Sequence, residues 1–497
     1  MELRVAKADW VPVRGAIVDG LVYNERVLKA AICCLAWPEG VEEGPETQSI
    51  DVNQAPLTWH TGLAFTVGYR LSFRARARRQ TPARPLSNEQ DRRILCIWEI
   101  PGVIIGVPKE VGPGECRVGL VPANVAVLTR QEHKVLVEEG AGEAAGYPDA
   151  AYQEAGATLV DRARVFAEAE LIVQVQTPGV NRASGEADLA ALREGQLLIG
   201  MMDPLGHPEF ARQLAERGVV GLAMELVPRI TRAQAMDVLS SMAMLAGYKA
   251  VLLAASQSAR MFPMSMTAAG TLQPVRAFVM GAGVAGLQAC ATAKRLGAVV
   301  EAYDVRPAAR EQILSVGARP VELDIAAEDT ESSGGYAREQ SDEFLQAQRA
   351  AMAKVLEPQD VVITTAAIPG RRSPVLITAD MVASMKPGAV IVDLAAERGG
   401  NCELTRLGEV VTTENGVTIL GPDNVPATVA FHASQMFGKN IENLLGLLLQ
   451  DGALNLDFDD EIIRETVVSH EGQVRHPRLC ELLELPVPAG EPQVPQS

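Results

Sequence analysis

The sequence predicts an α/β protein built of two Rossmann-like, doubly wound parallel-sheet domains, the second inserted into the first, with a nucleotide cleft between them. Three observations predict it. From about residue 102 onward, short apolar runs alternate with amphipathic helical segments, the pattern of parallel βαβ units. The alternation comes in two series, separated by a long helical stretch at roughly 232–260. The second series opens on a glycine fingerprint, "GAGVAG", at the end of a strand-like run.

The first 101 residues are of another character. All four tryptophans (10, 37, 59 and 98) lie there, and residues 70–93, "RLSFRARARRQTPARPLSNEQDRR", are arginine-rich with no apolar period. The first 100 residues are almost neutral, with 13 Lys+Arg against 12 Asp+Glu, so the chain's net charge of −17 sits beyond them. We read residues 1–101 as an atypical extension, disordered or translated from a start placed too early; the competing reading is a basic appendage. No methionine lies between Met1 and Met201, so a later start would need another codon, for instance at Val103.

In the first series "GVIIGVPKE" (102–110) predicts a strand and loop, "AVLTRQEHKVLVEEGAG" a helix and strand, and "ELIVQVQTP" (170–178) and "GQLLIGMM" (195–202) further buried strands. "PRITRAQAMDVLSSM" (228–242) is unexpectedly polar for the start of a buried helix. Thr231 and Gln234 have the T-x-x-Q spacing of a capping box, but that leaves Arg229, Asp237 and Ser240 unexplained. The second series is "VRAFVMGAG", "AVVEAYD", "ARPVEL", "VVITTA", "AVIVDLA" and "GVTILG", six strands. A last helix, "ASQMFGKNIENLLGLLLQ" (433–450), is expected to return to the first domain. The expected organisation is 102–240 with 431–480 as the first, discontinuous domain, 241–430 as the dinucleotide domain, and 481–497 as a tail.

Charge and composition narrow the function. A net charge of −17 argues against nucleic acid as partner. Seven cysteines without CxxC or zinc spacing suit a reduced, cytoplasmic compartment, and no metal site is expected. No apolar run reaches the ~18 residues of a membrane helix, "NLLGLLL" being too short, and "MELRVAKADW" does not read as a signal peptide.

The fingerprint carries the chemistry. Gly281 permits a tight turn, Gly283 lets the backbone approach a pyrophosphate, and Gly286 lets helix and strand pack closely; Val284 and Ala285 lie between them at the helix start. Asp304, 18 residues after Gly286, ends the next strand, where its carboxylate can accept from an adenosine ribose and repel a 2′-phosphate. That favours NAD(H), although Arg306, beyond Val305, could in principle hold a 2′-phosphate.

Taken in order, "PKEVGPGECRVGLVP", "PRITRAQAMDVLSS", "MTAAGT", "GAGVAGLQA", "TAKRLGAVVEAYDVR", "SGGYARE", "MKPGAVIVDLAAERGGNCELT" and "NVPA" resemble the NAD(H)-binding domain I of proton-translocating NAD(P) transhydrogenase, in its soluble alpha-1 form. The resemblance covers about residues 102–480. The chain is more distantly similar to alanine dehydrogenase. The transhydrogenase resemblance implies direct hydride transfer between NAD(H) here and NADP(H) on the domain III of a partner. It implies separate membrane subunits alpha-2 and beta, coupled proton movement, a homodimer, and a place on the inner face of the cytoplasmic membrane without a span of its own. It assigns Arg229, Gln234, Asp237 and Ser240 to holding the nicotinamide and its ribose. A helical projection agrees, placing Gln234, Asp237 and Ser241 on one face with Ser240 beside it. The resemblance makes "ESSGGYAREQ" (331–340) a loop that closes over the nucleotide, with Tyr336 touching it. Thr365 and Ala366 would approach the ribose or pyrophosphate. Asp393 and Glu397 lie at and beyond a strand end, Glu397 lining the nicotinamide pocket; Asn424 is a weaker candidate.

Two further functions compete. An alanine dehydrogenase needs an arginine, a lysine, a histidine and an aspartate. Arg117 stands at the arginine's place and Glu397 at the aspartate's, but Gln176 takes the lysine's and Asp203 the histidine's, with His207 four residues on. Arg117 is then either a substrate ligand or half of a structural ion pair. His207 and His432 read as structural. The third reading, a non-catalytic NAD-binding regulatory module, has no use for the intact "PRITRAQAMD" loop.

Overall fold

The computed structural model describes residues 17–18, 21–22, 102–182, 184–323, 342–367, 370–450 and 452–487. The chain divides into two units, Met1–Glu89 and Gln90–Ser497. In the first, Ile17–Val18 and Leu21–Val22 pair as short antiparallel strands; the rest of the 1–101 extension lies outside the described residues.

The second unit holds two large sheets. Six parallel strands make most of the first: β1 (Ile104–Val107), β2 (Lys134–Glu138), β3 (Thr158–Val160), β4 (Leu171–Gln176), β5 (Leu197–Met201) and β6 (Val220–Ala223), in the order β3-β2-β1-β4-β5-β6. Between them run α1 (Pro122–Arg130), α2 (Asp149–Glu154), α3 (Arg162–Glu168), α4 (Glu186–Ala191) and α5 (Glu209–Glu216). The strands form because runs such as "LLIGM" are apolar on both faces, as strands covered by helices on both sides must be. One face packs Val125, Leu128 and Phe437; the other packs Val165, Phe166, Phe210 and Leu214. The short strands β3 and β6 were not distinguished in the sequence.

The long helix α6 (Val238–Gln257) leads to the second sheet through a small hairpin, Ser265–Thr267 with Gly270–Leu272. The second sheet has β7 (Arg276–Met280), β8 (Val299–Tyr303), β9 (Arg319–Pro320), β10 (Val361–Thr364), β11 (Val390–Asp393), β12 (Val410–Thr412) and β13 (Thr418–Leu420). Its helices are α7 (Val284–Arg295), α8 (Ala309–Ser315), α9 (Asp342–Leu356) and α10 (Ala379–Ser384). Its order is β9-β8-β7-β10-β11-β13-β12, with β12 antiparallel to β13. Both sheets therefore reverse strand order beside their first strand, between β1 and β4 and between β7 and β10, and such reversals open a ligand crevice at the strand ends.

Strand β12 is a seventh strand where six were expected. The sequence carried its signal, "VVTTENGVTIL": Asn415-Gly416 makes the hairpin turn with Gly416 at φ +83°, and Thr413 N–H donates to Val417 O at 2.9 Å.

The chain then returns to the first sheet. Helix α11 (Ala430–Leu448) buries Phe437, Ile441, Leu444 and Leu448 in the first core. After α12 (Glu461–Thr466), β14 (Val467–His470) pairs antiparallel with β6, β15 (Gln473–Val474) extends the edge, and α13 (Pro477–Leu482) follows. Helix α6 serves both cores: Val238, Met242 and Leu245 lie in the first, Ala250, Val251 and Ala254 in the second. An 18-residue window of it has a mean hydropathy of 1.6, enough by length and composition to cross a membrane, although Ser240, Ser241 and Lys249 break any continuous apolar run. The physical reason is its position: a helix buried between two lobes needs apolar residues around most of its circumference.

Candidate functional site

The glycine turn is built as its spacing requires. Gly281 follows β7 at φ +97°, and a Cβ there would lie 2.5 Å from Thr365 Oγ1. A Cβ on Gly286 would fall 1.8 Å from Gly281 O, so the first turn of α7 can sit this close to the strand only with glycine at 286. Gly283, the N-cap of α7, faces open space: nothing lies within 4 Å of where its Cβ would be. No side chain caps α7, so the N–H groups beside Val284 and Ala285 at its start are not satisfied by a cap. This cradle fits a phosphate. One support was not legible in the sequence. Gly247 of α6 meets the same turn, and a Cβ there would be 2.0 Å from Ala285 O.

Asp304, just past β8, accepts from Ala282 N–H at 2.6 Å, tying the second sheet's adjacent strand ends together. It also pairs with Arg306, through Nε to Oδ1 at 2.9 Å and Nη2 to Oδ2 at 3.0 Å, and accepts the Arg306 N–H at 2.9 Å. Arg306 is thus turned onto Asp304. Val305 between them packs partly into the sheet's core.

At the end of β10, Thr365 Oγ1 donates to Gly281 O at 3.1 Å. Ala366 is clamped by Asn401, whose Oδ1 accepts its N–H at 3.0 Å and whose Nδ2 donates to its O at 2.8 Å. Asn401 is in turn held by Asp393, which is fully buried and accepts from Thr364 Oγ1, Ala395 N, Asn401 N, Cys402 N and Thr405 Oγ1. Asp393 is a structural hub of the strand ends. Asn401, not singled out from the sequence, positions Ala366; "GGN" directly after the strand was the available hint.

Glu397 and Asn424 belong to a second network. Asn424, at φ +42°, donates its N–H to Glu397 Oε1 at 3.0 Å and its Nδ2 to Glu115 Oε2 at 2.9 Å. Arg117 binds Glu115 with two bonds, Nε to Oε1 at 2.7 Å and Nη2 to Oε2 at 2.6 Å, and donates to Asn424 Oδ1 at 3.0 Å. Arg117 is 3 % exposed, so it is half of a buried ion pair. Burial pushes the Glu115 carboxyl up, but the Arg117 hydrogen bonds and charge outweigh it and leave Glu115 below the ordinary range. Glu397 is exposed. Water reaches it, yet the protein around it displaces enough solvent to raise its carboxyl, against the Asn424 N–H and the Arg117 and Arg398 charges.

On the first sheet's switch point, Glu110 accepts from Val175 N at 2.6 Å and Gln176 N at 3.1 Å. Burial, with Glu115 nearby, pushes the Glu110 carboxyl up to about 8. The Gln176 amide lies against Gly112, where a Cβ would be 2.6 Å from its Oε1. Asp203, two residues past β5, pairs with Arg398 from the second sheet, and His207 Nδ1 lies 3.0 Å from both Asp203 Oδ2 and Arg182 Nη2. Glu225 Oε1 accepts the N–H groups of Met202 and Asp203, both at 2.8 Å, and burial raises its carboxyl to about 7.

The polar stretch departs from its expected local structure. Residues 231–236 form a 3₁₀ turn, not the first α-turn, and no side chain caps it, so the Thr231–Gln234 capping box does not form. The cap is Asp237: its Oδ1 accepts Ser240 N–H at 2.8 Å and its Oδ2 accepts Ser240 Oγ–H at 2.6 Å, starting α6 at Val238. A residue at the end of a 3₁₀ turn with extended backbone is placed to cap the α-helix that follows. Arg229, Gln234, Asp237 and Ser240, with Pro228, nevertheless line one cavity of about 360 Å³. Three supports hold this loop: Asn440 and Asn443 of α11 both donate to Ala235 O, at 2.8 and 2.9 Å, and Arg232 makes two bonds to Asp460, at 2.6 and 2.7 Å. The two asparagines stand three apart on α11, a spacing visible in "NIEN".

Tyr336 and the rest of 324–341 lie outside the described residues. Exposed His432 sits edge-on to Phe431. Among the described residues, no three His, Cys, Asp or Glu side chains group as metal ligands would.

Comparison with known proteins follows the same division of the chain. Residues 106–246 match the family model "Alanine dehydrogenase/PNT, N-terminal domain" and residues 250–477 its "C-terminal domain". An NAD(P) transhydrogenase subunit alpha polypeptide of Rhodospirillum rubrum is 46 % identical over 379 residues, 76 % of this chain and 98 % of that protein. The NAD(P) transhydrogenase subunit alpha of Cereibacter sphaeroides is 44 % identical, over 75 % of this chain and 71 % of that one. The alanine dehydrogenase of Mycobacterium tuberculosis is 31 % identical, over 61 % and 75 %. Among solved structures, the transhydrogenase from Sinorhizobium meliloti is similar with a TM-score of 0.66 and 44 % identity, covering 75 % of this chain and 99 % of that one. An L-alanine dehydrogenase follows at 0.63 and 25 %, covering 77 % and 99 %.

Proposed function

The chain belongs to the alanine dehydrogenase/PNT family, and from that premise we propose that it is the NAD(H)-binding alpha-type subunit of a proton-translocating NAD(P) transhydrogenase. The observation that carries this reading is the course of α6. At its head, Asp237 and Ser240 line a cavity with Arg229 and Gln234; ten residues on, roughly 15 Å along the axis at 1.5 Å per residue, Gly247 supports the glycine turn. One helix thus fixes the spacing between a phosphate cradle and a polar pocket, the two sites a dinucleotide needs for its pyrophosphate and its nicotinamide ribose.

On this reading Gly281, Gly283, Val284, Ala285 and Gly286 hold the pyrophosphate, Asp304 with Val305 and Arg306 the adenosine ribose, and Thr365, Ala366 and Glu397 border the rest. When bound, NADH supplies the hydride. The protein's role is to position the nicotinamide against that of an NADP⁺ held on the domain III of a partner, and to exclude water. No side chain need move a proton at that step. Asp304 favours NAD(H) here, and its pairing with Arg306 keeps that guanidinium from serving a 2′-phosphate. The partners on this reading are the membrane subunits alpha-2 and beta, which carry the proton, and a second copy of this chain; the chain is cytoplasmic, peripheral on the membrane.

The alanine dehydrogenase alternative needs a free arginine for a substrate carboxylate and a lysine and histidine for protons. Arg117 already carries Glu115, Gln176 has no titratable group to take the lysine's place, and Asp203 at the histidine's place is engaged by Arg398. The deciding experiment mixes the chain with a domain III protein and follows hydride exchange between NADH and an NADP⁺ analogue. Absence of exchange together with NAD-dependent oxidation of alanine would reverse the assignment.

A further inference from the structure

We infer that Asp203 and Arg398 form a clasp between the two lobes that gates the nucleotide cleft, with Glu225 and Gly206 as its positioning residues. The inference rests on the reading of the cleft as the NAD(H) site.

The two partners are 195 residues apart and stand on the ligand edges of different sheets, Asp203 beyond β5 and Arg398 beyond β11. Asp203 holds a left-handed backbone, φ +49°, that residues other than glycine rarely adopt and that neighbours must enforce. Glu225 enforces it: one carboxylate oxygen takes the N–H of Met202 and of Asp203 together. So fixed, the Asp203 carboxylate points across the gap to Arg398. Space for the pair depends on Gly206, where a Cβ would lie 2.5 Å from Asp203 Oδ2 and 2.8 Å from Arg398 Nη1. The opposite side is held too. Arg372 lies over Gly399, where a Cβ would be 2.7 Å from its Nε, and Leu205 lies against Gly370, whose Cβ would be 2.5 Å from it. A stray surface ion pair has no such scaffold; here a strained aspartate, a buried carboxylate and a glycine are all arranged around one contact between lobes.

A dinucleotide entering between the lobes must wait for them to part, so the clasp governs both entry and exit. The test uses the full chain and NADH fluorescence in stopped flow. Arg398→Ala, Asp203→Asn and Gly206→Ala are each expected to raise the association and release rates threefold to tenfold, roughly the range a partly exposed ion pair supports, while Kd moves less than either rate. Gly206→Ala leaves both charges in place and displaces only their contact. The double variant Asp203→Asn/Arg398→Ala is expected to be no faster than the singles. Unchanged rates, or fully multiplicative effects in the double variant, would overturn the clasp. A second readout needs no nucleotide: the distance between fluorescent residues placed at exposed Glu154 and Glu409, one on each lobe. It is expected to lengthen or broaden in Arg398→Ala, and an unchanged distribution overturns the clasp. Should the unaltered chain give no NADH signal, the nucleotide reading fails, and the distance alone decides the clasp.

Discussion

Asp237 shows how one side chain can hold two duties that a substitution can separate. It caps α6, and it lines the polar cavity with Arg229, Gln234 and Ser240. Asparagine caps a helix about as well as aspartate, whereas alanine loses about 1 kcal/mol. Asp237→Asn is therefore expected to change the unfolding free energy by less than about 0.5 kcal/mol, and Asp237→Ala to lower it by about 1 kcal/mol in urea titration. If the charge positions the nicotinamide, both variants, and Arg229→Ala, slow hydride exchange at least about tenfold, a loss of ~1.4 kcal/mol, with little change in NADH affinity. Normal exchange in Asp237→Asn would leave only the cap. Glu110 gives a pH test. Its folded pKa of about 8 lies above the ordinary 4.5, so between those values the folded chain keeps a proton that the unfolded chain has released. Its contribution to stability is full below pH 4.5 and is lost as pH rises to 8. Urea midpoints should fall across that window, and Glu110→Gln should flatten the fall; an unchanged slope would mean that Glu110 ionises normally. The glycine turn was legible because its meaning lies in local spacing, whereas the spacing of the polar loop pointed to a capping box that does not form. The Arg117–Glu115–Asn424 network was not legible, since Asn424 is more than 300 residues away in sequence.

At the scale of the element, α6 carries the most consequence. Its composition is that of a membrane helix, but its length is divided between two cores. Its sequence tells how apolar its surroundings are and cannot tell whether they are lipid or protein. Its start was misplaced for a similar reason: "TRAQ" fits a capping box, yet burial of Ala233 and Met236 winds 231–236 as a 3₁₀ turn, and the cap falls to Asp237. Two glycines make a controlled comparison. In a helix alanine is favoured over glycine by up to about 1 kcal/mol. Gly446→Ala on α11 meets open space and should stabilise by about 0.5–1 kcal/mol. Gly247→Ala drives a Cβ to 2.0 Å from Ala285 O and should instead destabilise by about 1–3 kcal/mol and weaken NADH binding, as calorimetry and fluorescence titration would register. Equal stabilisation by both would show that α6 does not press on the glycine turn.

At the scale of the molecule, the hairpin Ser265–Leu272 is conspicuous. Met266 and Leu272 are 76 % and 50 % exposed, and Met261 and Met264 beside it are also open, an apolar edge suited to a second copy of this chain. If the second copy of this chain that the proposed function calls for binds here, Met266→Asp with Leu272→Asp should lower the sedimentation coefficient; an unaltered profile would show that this edge is not the contact. The sequence by itself determined the two βαβ series, the glycine turn with its acidic partner, and the polar loop before α6, because each is written in neighbouring residues with a fixed period or spacing. Only the tertiary structure decided that α6 belongs to both cores, that Arg117 is consumed by Glu115, and that Asp203 reaches Arg398 across the cleft. Those outcomes depend on which strand ends and helix faces the topology brings together, and distance along the chain carries no record of that.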